Sequence, residues 1–292
     1  MTAEAVTPPP AAEPPAIAPA EPSTFQKAMK QKRFVVGAAI TLLLVAFVII
    51  APYLAPFGEN EVAGPPFSKD GLLGTDYLGS DVLSRVMYGG RSILIIAVFG
   101  TLLGMALGIA IGVVAAYGGG WWDEVLMRFN DVILSFPQIL LALLVLTAIE
   151  QPTAWILILL VGISHAPRVA RLARGVALGI VSRDFVIAAE ALGEKRTRVI
   201  LAEVLPNMNA PLLAEGGLRL TFSIGLVGSL GFLGFSADPG AANWGQMIQE
   251  NRLGLATQPW AVVAPVLIIA IFCIGTNLMA DGIAQVAQRG EN

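Results

Sequence analysis

Charge, cysteine and histidine are all scarce in this chain of 292 residues. Only 13% of its residues are charged and 55% are hydrophobic, whereas soluble domains carry about a quarter charged residues. Together with a mean hydropathy of +0.73, this excludes an ordinary soluble enzyme and points to a polytopic membrane protein. The single cysteine, Cys273, excludes a disulfide framework within the chain. With His165 as the only histidine, a zinc site of several Cys and His ligands is excluded too. No G-x-x-x-x-G-K-[ST] phosphate loop occurs, so the chain should not bind ATP by that route. If ATP drives this protein, another subunit hydrolyses it.

What is present is a series of long apolar runs. Residues 1–24 are rich in Pro and Ala and contain no basic residue, so residues 1–33 read as a disordered tail that ends in a basic cluster. A first span, residues 34–56, follows Lys27, Lys30, Lys32 and Arg33 as an uncleaved anchor. A polar loop covers residues 57–91. Five further spans are expected within 92–285: Ser92–Tyr117, Asp131–Ile149, Thr153–His165 with a continuation to about Arg174, Pro211–Phe235 and Ala261–Gln285. A short tail, 286–292, closes the chain. The fold class is therefore an all-α membrane protein with six transmembrane helices.

Lys and Arg are distributed with a roughly threefold bias toward one set of loops, which the positive-inside rule reads as both termini cytoplasmic. Loop 57–91 is then external and the polar segment 165–209 cytoplasmic. Within the second span, Gly100, Gly104, Gly108 and Gly112 recur every four residues. They fall on nearly one helical face and let a second helix approach to backbone contact, most simply within the same chain. Glu215 and Arg219, four apart in the fifth span, can neutralise one another as an ion pair. Pro137 and Pro265 are candidate kinks.

The polar segment 165–209 carries the strongest functional signal. Arg168, Arg171 and Arg174 repeat every three residues where the chain leaves the membrane, which suits contact with anionic lipid headgroups. Ser182 or Asp184 can cap a helix on which Phe185, Ala188, Ala189 and Leu192 share a face. Gly193 suits the left-handed residue that ends it. A second, basic helix would run from about Glu194 to Ala202 and stop at Leu205-Pro206. Small alanines between apolar anchors suit docking to a partner, and the same pattern fits an amphipathic helix on its own membrane face. In the external loop, Ser80 can cap a short helix through Met87, with Asp81 at its positive end. Val82, Leu83, Val86 and Met87 would give it an interfacial apolar face.

These motifs resemble those of bacterial binding-protein-dependent ABC importer permeases. Ala188, Ala189, Gly193, Leu205 and Pro206 fit the E-A-A-x-x-x-G-x(9)-I-x-L-P signature, with Ile187 in place of Glu and Glu203 in place of Ile or His. Leu73-Gly74-Thr75-Asp76 with Gly79, Asp81 and Arg85 is similar to the L-G-T-D-x-x-G-R-D-x-x-S-R stretch of the "C"-type dipeptide, oligopeptide and nickel permeases, with Ser80 in place of Arg. Asn130-Asp131, Ser135-Phe136-Pro137, Phe232-Leu233-Gly234-Phe235, Trp244-Gly245, Asn277-Leu278 and Asp281-Gly282 extend the likeness over nearly everything after residue 30. The usual Asp-Pro-Arg carboxyl end is replaced by Ala287-Gln288-Arg289.

The resemblance implies a type I importer transmembrane domain: five core helices, one extra amino-terminal helix and coupling helices at about 184–205. It implies ATPase-coupling roles for Phe185, Ala188, Ala189, Leu192, Gly193, Leu205 and Pro206. Loop or gating roles follow for Gly74, Thr75, Asp76, Gly79, Asp81 and Arg85. The implied partners are a second, "B"-type permease, two cytoplasmic ATPase subunits carrying ATP and Mg, an extracytoplasmic binding protein and membrane lipid; no nucleic acid, and no cofactor on this chain. The expected function is a non-enzymatic permease for di- or oligopeptides, nickel or a related solute in the bacterial inner membrane. One rival is an ion-coupled secondary transporter, which favours repeated halves and midplane ion ligands. Another is a membrane hydrolase, which would have to use a Ser164–His165 dyad.

Overall fold

The computed structural model describes residues 24–149, 151–238 and 240–289; of the expected tail, residues 1–33, the first 23 lie outside the described residues. Among them the chain is helical, with two isolated β-bridges, Val62–Ser80 and Thr75–Asp81. After a short helix α1 (Thr24–Ala28), α2 (Lys32–Ile50) begins where the basic cluster gives way to an unbroken apolar run. A short α3 (Val82–Tyr88) leads into α4 (Gly90–Gly118). Then come α5 (Gly120–Ser135), α6 (Gln138–Leu146) and α7 (Ala154–Val181). The polar segment holds α8 (Asp184–Ala191), α9 (Arg196–Val199) and α10 (Leu205–Asn207). Finally α11 (Asn209–Phe232), α12 (Trp244–Asn251) and α13 (Trp260–Arg289) complete the chain.

Among the described residues five helices are long and apolar enough to cross a membrane, and a bent pair makes a sixth span if it crosses as one. Here the structure corrects the expected Asp131–Ile149 span. α5 and α6 meet at a bend of 80°, because Pro137 has no N–H to give the helix ladder and pushes Phe136 out of the helical region, to φ −90°, ψ 131°. Pro167 and Pro265, by contrast, sit inside continuous helices. α7 runs to Val181, about two turns past the expected end at Arg174.

The main seam is between α4 and α7. A Cβ on Gly100 would lie 2.6 Å from Val161, one on Gly104 3.0 Å from His165 Cβ, one on Gly108 2.4 Å from Val169 Cβ, and one on Gly112 2.5 Å from the Ala170 carbonyl. The four glycines thus face a partner helix of the same chain. A second seam, which the glycine spacing did not announce, joins α2 to α13: Gly37 meets the backbone of Gly275 and Met279, and Gly282 meets Phe34. Short hydrogen bonds stitch the remaining helices, Thr101 to Ser223 at 2.7 Å and Thr221 to Thr276 at 2.8 Å. Glu215 and Arg219 form the ion pair at 2.8 Å, nearly buried on α11.

Gly108→Val should destabilise the detergent-purified chain by about 1–3 kcal/mol through overpacking. Gly225→Ala, where a Cβ meets nothing within 4 Å, should leave the melting midpoint unchanged. Equal midpoints for the two variants would refute the seam.

Candidate functional site

The polar segment is fixed to the bundle before it presents anything outward. Val186 of α8, Val199 of α9, Val204 and Met208 are fully or almost fully buried. They pack against Val113 and Ala116 of α4 and Ala173, Ala177 and Ile180 of α7. Neither expected cap forms: Arg183 occupies the N-cap of α8 without a side-chain hydrogen bond, and Asp184 stands in the first turn. There its charge still favours the positive helix end. Gly193 takes φ +79°. Its N–H donates to the Glu190 carbonyl and that of Glu194 to the Ala189 carbonyl, the paired bonds of a Schellman stop.

The second arm departs from expectation. It starts at Arg196 rather than Glu194, widens into a π turn over Ile200–Val204, and does not end at Pro206. Pro206 lies in the first turn of α10, where its missing N–H is tolerated, and the chain passes on into α11. The two arms enclose a cleft of about 370 Å³ lined by Phe185, Ala188, Ala189, Leu192, Glu194, Arg198, Val199, Ala202 and Glu203. Of the predicted coupling residues, Phe185, Ala188, Ala189 and Leu192 line it; Leu205 and Pro206 stand outside it.

A contact that sequence reasoning missed ties both arms to α4. Tyr117 donates its hydroxyl to Glu190 of α8, while the Arg196 guanidinium of α9 sits 5.9 Å over the Tyr117 ring. The three arginines expected at lipid headgroups also have protein partners. Arg174 makes a two-pronged pair with Asp123 at 2.5 Å, Arg171 reaches Asp131 at 2.6 Å, and Arg168 reaches Gln138 at 3.4 Å. This ladder holds bent α5–α6 against α7. The available signal was the presence of Asp123 and Asp131 in a charge-poor region, where ionisable groups are usually paired.

At the opposite end of α4, the loop 57–80 folds onto α12. Gly74 (φ +72°) and Gly79 (φ +83°) permit tight turns, where added Cβ atoms would strike Gln258 and the Gly64 carbonyl. Thr75 accepts from the Ser68 N–H and donates to the Pro65 carbonyl. Asp76 is fully buried; its Oδ1 accepts from the backbone N–H of Leu78 and Ser80, and its Oδ2 meets Arg85 at 2.5 Å. Arg85 also reaches Glu250 of α12 at 3.3 Å. Burial, and then the charge of Glu250, push the Tyr77 phenol above its usual range.

Asp81, not Ser80, caps α3, accepting from the Ser84 N–H at 2.8 Å. Val82 and Val86 of α3 are buried in the main core with Trp244 rather than laid on an interface. The Trp244 indole donates to the Val86 carbonyl at 2.8 Å. Helix α12, capped by Asn243, was not anticipated beyond Trp244-Gly245. No Ser164–His165 dyad exists. Ser164 bonds to Gln138 and to the Val161 carbonyl, and buried His165 makes no hydrogen bond through either ring nitrogen.

Stacked apolar helices, a knob-and-cleft segment held to two of them and a folded cap at the other end have the architecture of a multi-pass membrane protein. The family model for "Binding-protein-dependent transport system inner membrane component" matches residues 108–289. A second, for the "N-terminal TM domain of oligopeptide transport permease C", matches 23–68. The chain belongs to this inner membrane component family and is a permease subunit of an ABC importer, not an enzyme. It is 32% identical to a dipeptide transport system permease protein of Alkalihalophilus pseudofirmus, over 97% of this chain and 94% of that one. To a glutathione transport system permease protein of Shigella dysenteriae it is also 32% identical, over 89% and 87%. Its fold matches a chain of the inward-facing MetNI methionine ABC transporter with TM-score 0.53 and 16% identity, covering 68% of this chain and 96% of that one. The architecture is that of a type I importer transmembrane domain.

Asp76→Ala would leave the Arg85 guanidinium, whose side chain is 4% exposed, with only the longer Glu250 contact. Breaking a buried pair costs about 3–5 kcal/mol, so loop 57–80 should become protease-sensitive. A wild-type digestion pattern would contradict this role.

Proposed function

We propose that this permease imports small peptides, with both termini cytoplasmic and the loop 57–80 outside. The substrate class rests on relatives named for dipeptides, di/tripeptides and glutathione. The orientation rests on the Lys and Arg bias of the loops. The observation that carries the coupling role is the two-armed segment: a short helix stopped by Gly193 in a left-handed turn, a second arm, and a cleft between them. Its outward side sets two exposed apolar side chains, Leu192 at 85% and Ile187 at 53%, among exposed charged residues such as Arg183, Glu194, Lys195 and Arg198. Its inward side is fixed to α4 and α7.

In this reading two cytoplasmic ATPase subunits bind ATP and Mg, and their closure displaces the segment. α4 and α7 follow as one body, and rocking against a second, "B"-type permease alternates access to the pathway. An extracytoplasmic binding protein delivers the peptide to the loop 57–80 and α12 side, and lipid surrounds the spans. Residues 34–56 form the first membrane span and 92–285 the transmembrane domain, with its coupling helices at about 184–205 and residues 286–292 in the cytoplasm. Dipeptide uptake into vesicles holding the assembled transporter should require internal ATP. Uptake driven by an ion gradient without any ATPase would overturn the proposal.

Gly193→Val would force a β-branched residue into φ +79°, at a cost of roughly 1–2 kcal/mol or more. The variant should insert normally yet lose about five- to thirtyfold in ATP-driven uptake, since every 1.4 kcal/mol is tenfold. Unchanged uptake would count against coupling through this segment.

A further inference from the structure

Helix α5 carries a stripe of large apolar side chains that nothing among the described residues covers. Trp122, Val125, Phe129 and Val132 recur at three- and four-residue spacing, so they share one face, and each is between 40 and 63% exposed. Trp121 widens the stripe, edge-on to Trp122 with ring centroids 5.2 Å apart. Past the Pro137 bend it continues in the exposed Ile139, Leu140 and Leu144 of α6. The other face of α5 is committed to protein: Asn130 is buried, and Asp123 and Asp131 are paired with α7.

The same pairs fix how α5 lies. Asp123 and Asp131 stand eight residues apart on α5, yet they meet Arg174 and Arg171, only three apart on α7. At 1.5 Å per residue that is about 12 Å of α5 against about 4.5 Å of α7, so α5 crosses α7 rather than running along it. α6 does run along it: Gln138 bonds to Ser164, and Leu146 is buried in the same core as Leu157. The 80° bend between α5 and α6 agrees with this. α5 also starts just after Tyr117 of α4, which bonds to Glu190 in the polar segment. It therefore lies across the ends of two spans, at the level of Arg171 and Arg174.

We infer that α5 is an interfacial helix, resting along the cytoplasmic surface of the bilayer with its stripe sunk among phospholipid headgroups and upper acyl chains. Of the bent pair, only α6 then enters the hydrocarbon. Tryptophan is enriched at this depth because its ring has an apolar body and a polar tip. Amphipathic helices with such a face sit with it about 5–10 Å into the boundary between headgroups and chains. Arg128, one turn from both Val125 and Val132, borders the stripe. It is exposed and makes no ion pair among the described residues, so it is free for a headgroup phosphate. That free arginine at the rim, and continuity with the exposed apolar side chains of α6, favour phospholipid over a second protein as the occupant. The choice of leaflet rests on the orientation proposed above; the in-plane setting does not.

The test places single cysteines at Val125, Phe129, Val132 and Leu140, all exposed, in a Cys273→Ser chain. Each is spin-labelled in the transporter assembled in phospholipid bilayers, and its depth is read from collisions with oxygen and with chromium oxalate. The three α5 labels should share one shallow depth, about 5–10 Å below the phosphates, and the Leu140→Cys label should lie deeper than all three. A spanning α5 would instead sink by about 10 Å from Val125 to Val132, and such a gradient would overturn the proposal. Chromium oxalate collisions as frequent as at a label on exposed Leu192→Cys would put the stripe in water and overturn it as well. Shielding of the α5 labels from both reagents would mean that a second protein covers them, with the same consequence. Reaction of Phe129→Cys with an impermeant thiol reagent added outside intact cells would overturn the orientation and leave the in-plane setting standing.

Discussion

Four glycines on one face of α4 bring its backbone against α7, and the rest of the molecule is arranged around that contact. With no side chains at these four positions of α4, the side chains and backbone of α7 seat directly on its backbone, from Val161 on Gly100 to Ala170 and Ala173 on Gly112. Close packing of this kind substitutes for the hydrophobic drive that helices lack in lipid. It also gives the chain a rigid post with two ends. One end carries α8 and α9 through Val186 and Val199; the other carries α3, Trp244 and α12 through Val82 and Val86.

Charge is used where apolar packing cannot hold. Helix α5 is attached to α7 by arginine pairs with Asp123 and Asp131, α6 by hydrogen bonds of Gln138 to Ser164 and Arg168, and the loop 57–80 is fastened to α12 through Asp76, Arg85 and Glu250. A displacement applied at α8 would therefore move α4, α7 and α5 together, which is the mechanical property that a coupled permease needs. Tyr117 is central to this, since Glu190 and Arg196 meet on it from both arms.

Much of this was legible in the sequence because it follows from periodicity and from residues with few conformational options. The apolar runs, the glycine stripe, the left-handed Gly193 and the Glu215–Arg219 pair are local patterns. What escaped was non-local. Pro137 was readable as a kink but not as an 80° bend, since the angle depends on what α5 and α6 pack against. Arg168, Arg171 and Arg174 looked lipid-facing because their partners lie up to 51 residues away on another helix. Asp81 rather than Ser80 is the cap because α3 begins at Val82, which puts Asp81 at the N-cap, where its carboxylate accepts from both the N–H and the hydroxyl of Ser84. Pro206 failed as a stop because the π turn before it placed the proline in the first turn of the next helix.

The central claim is that the segment from α8 to α10 is the seat of an ATPase subunit. Cys273 is the only cysteine, so a Cys273→Ser background allows single cysteines to be placed at will. With the transporter assembled in membranes, Phe185→Cys and Leu192→Cys should each cross-link to the ATPase subunit through a short thiol-to-amine reagent. Leu72→Cys, as exposed as Leu192 to within a few per cent and more exposed than Phe185 but at the other end of the molecule, should not. Cross-linking from Leu72→Cys, or none from the two α8 positions in a complex that transports peptide, would contradict the account.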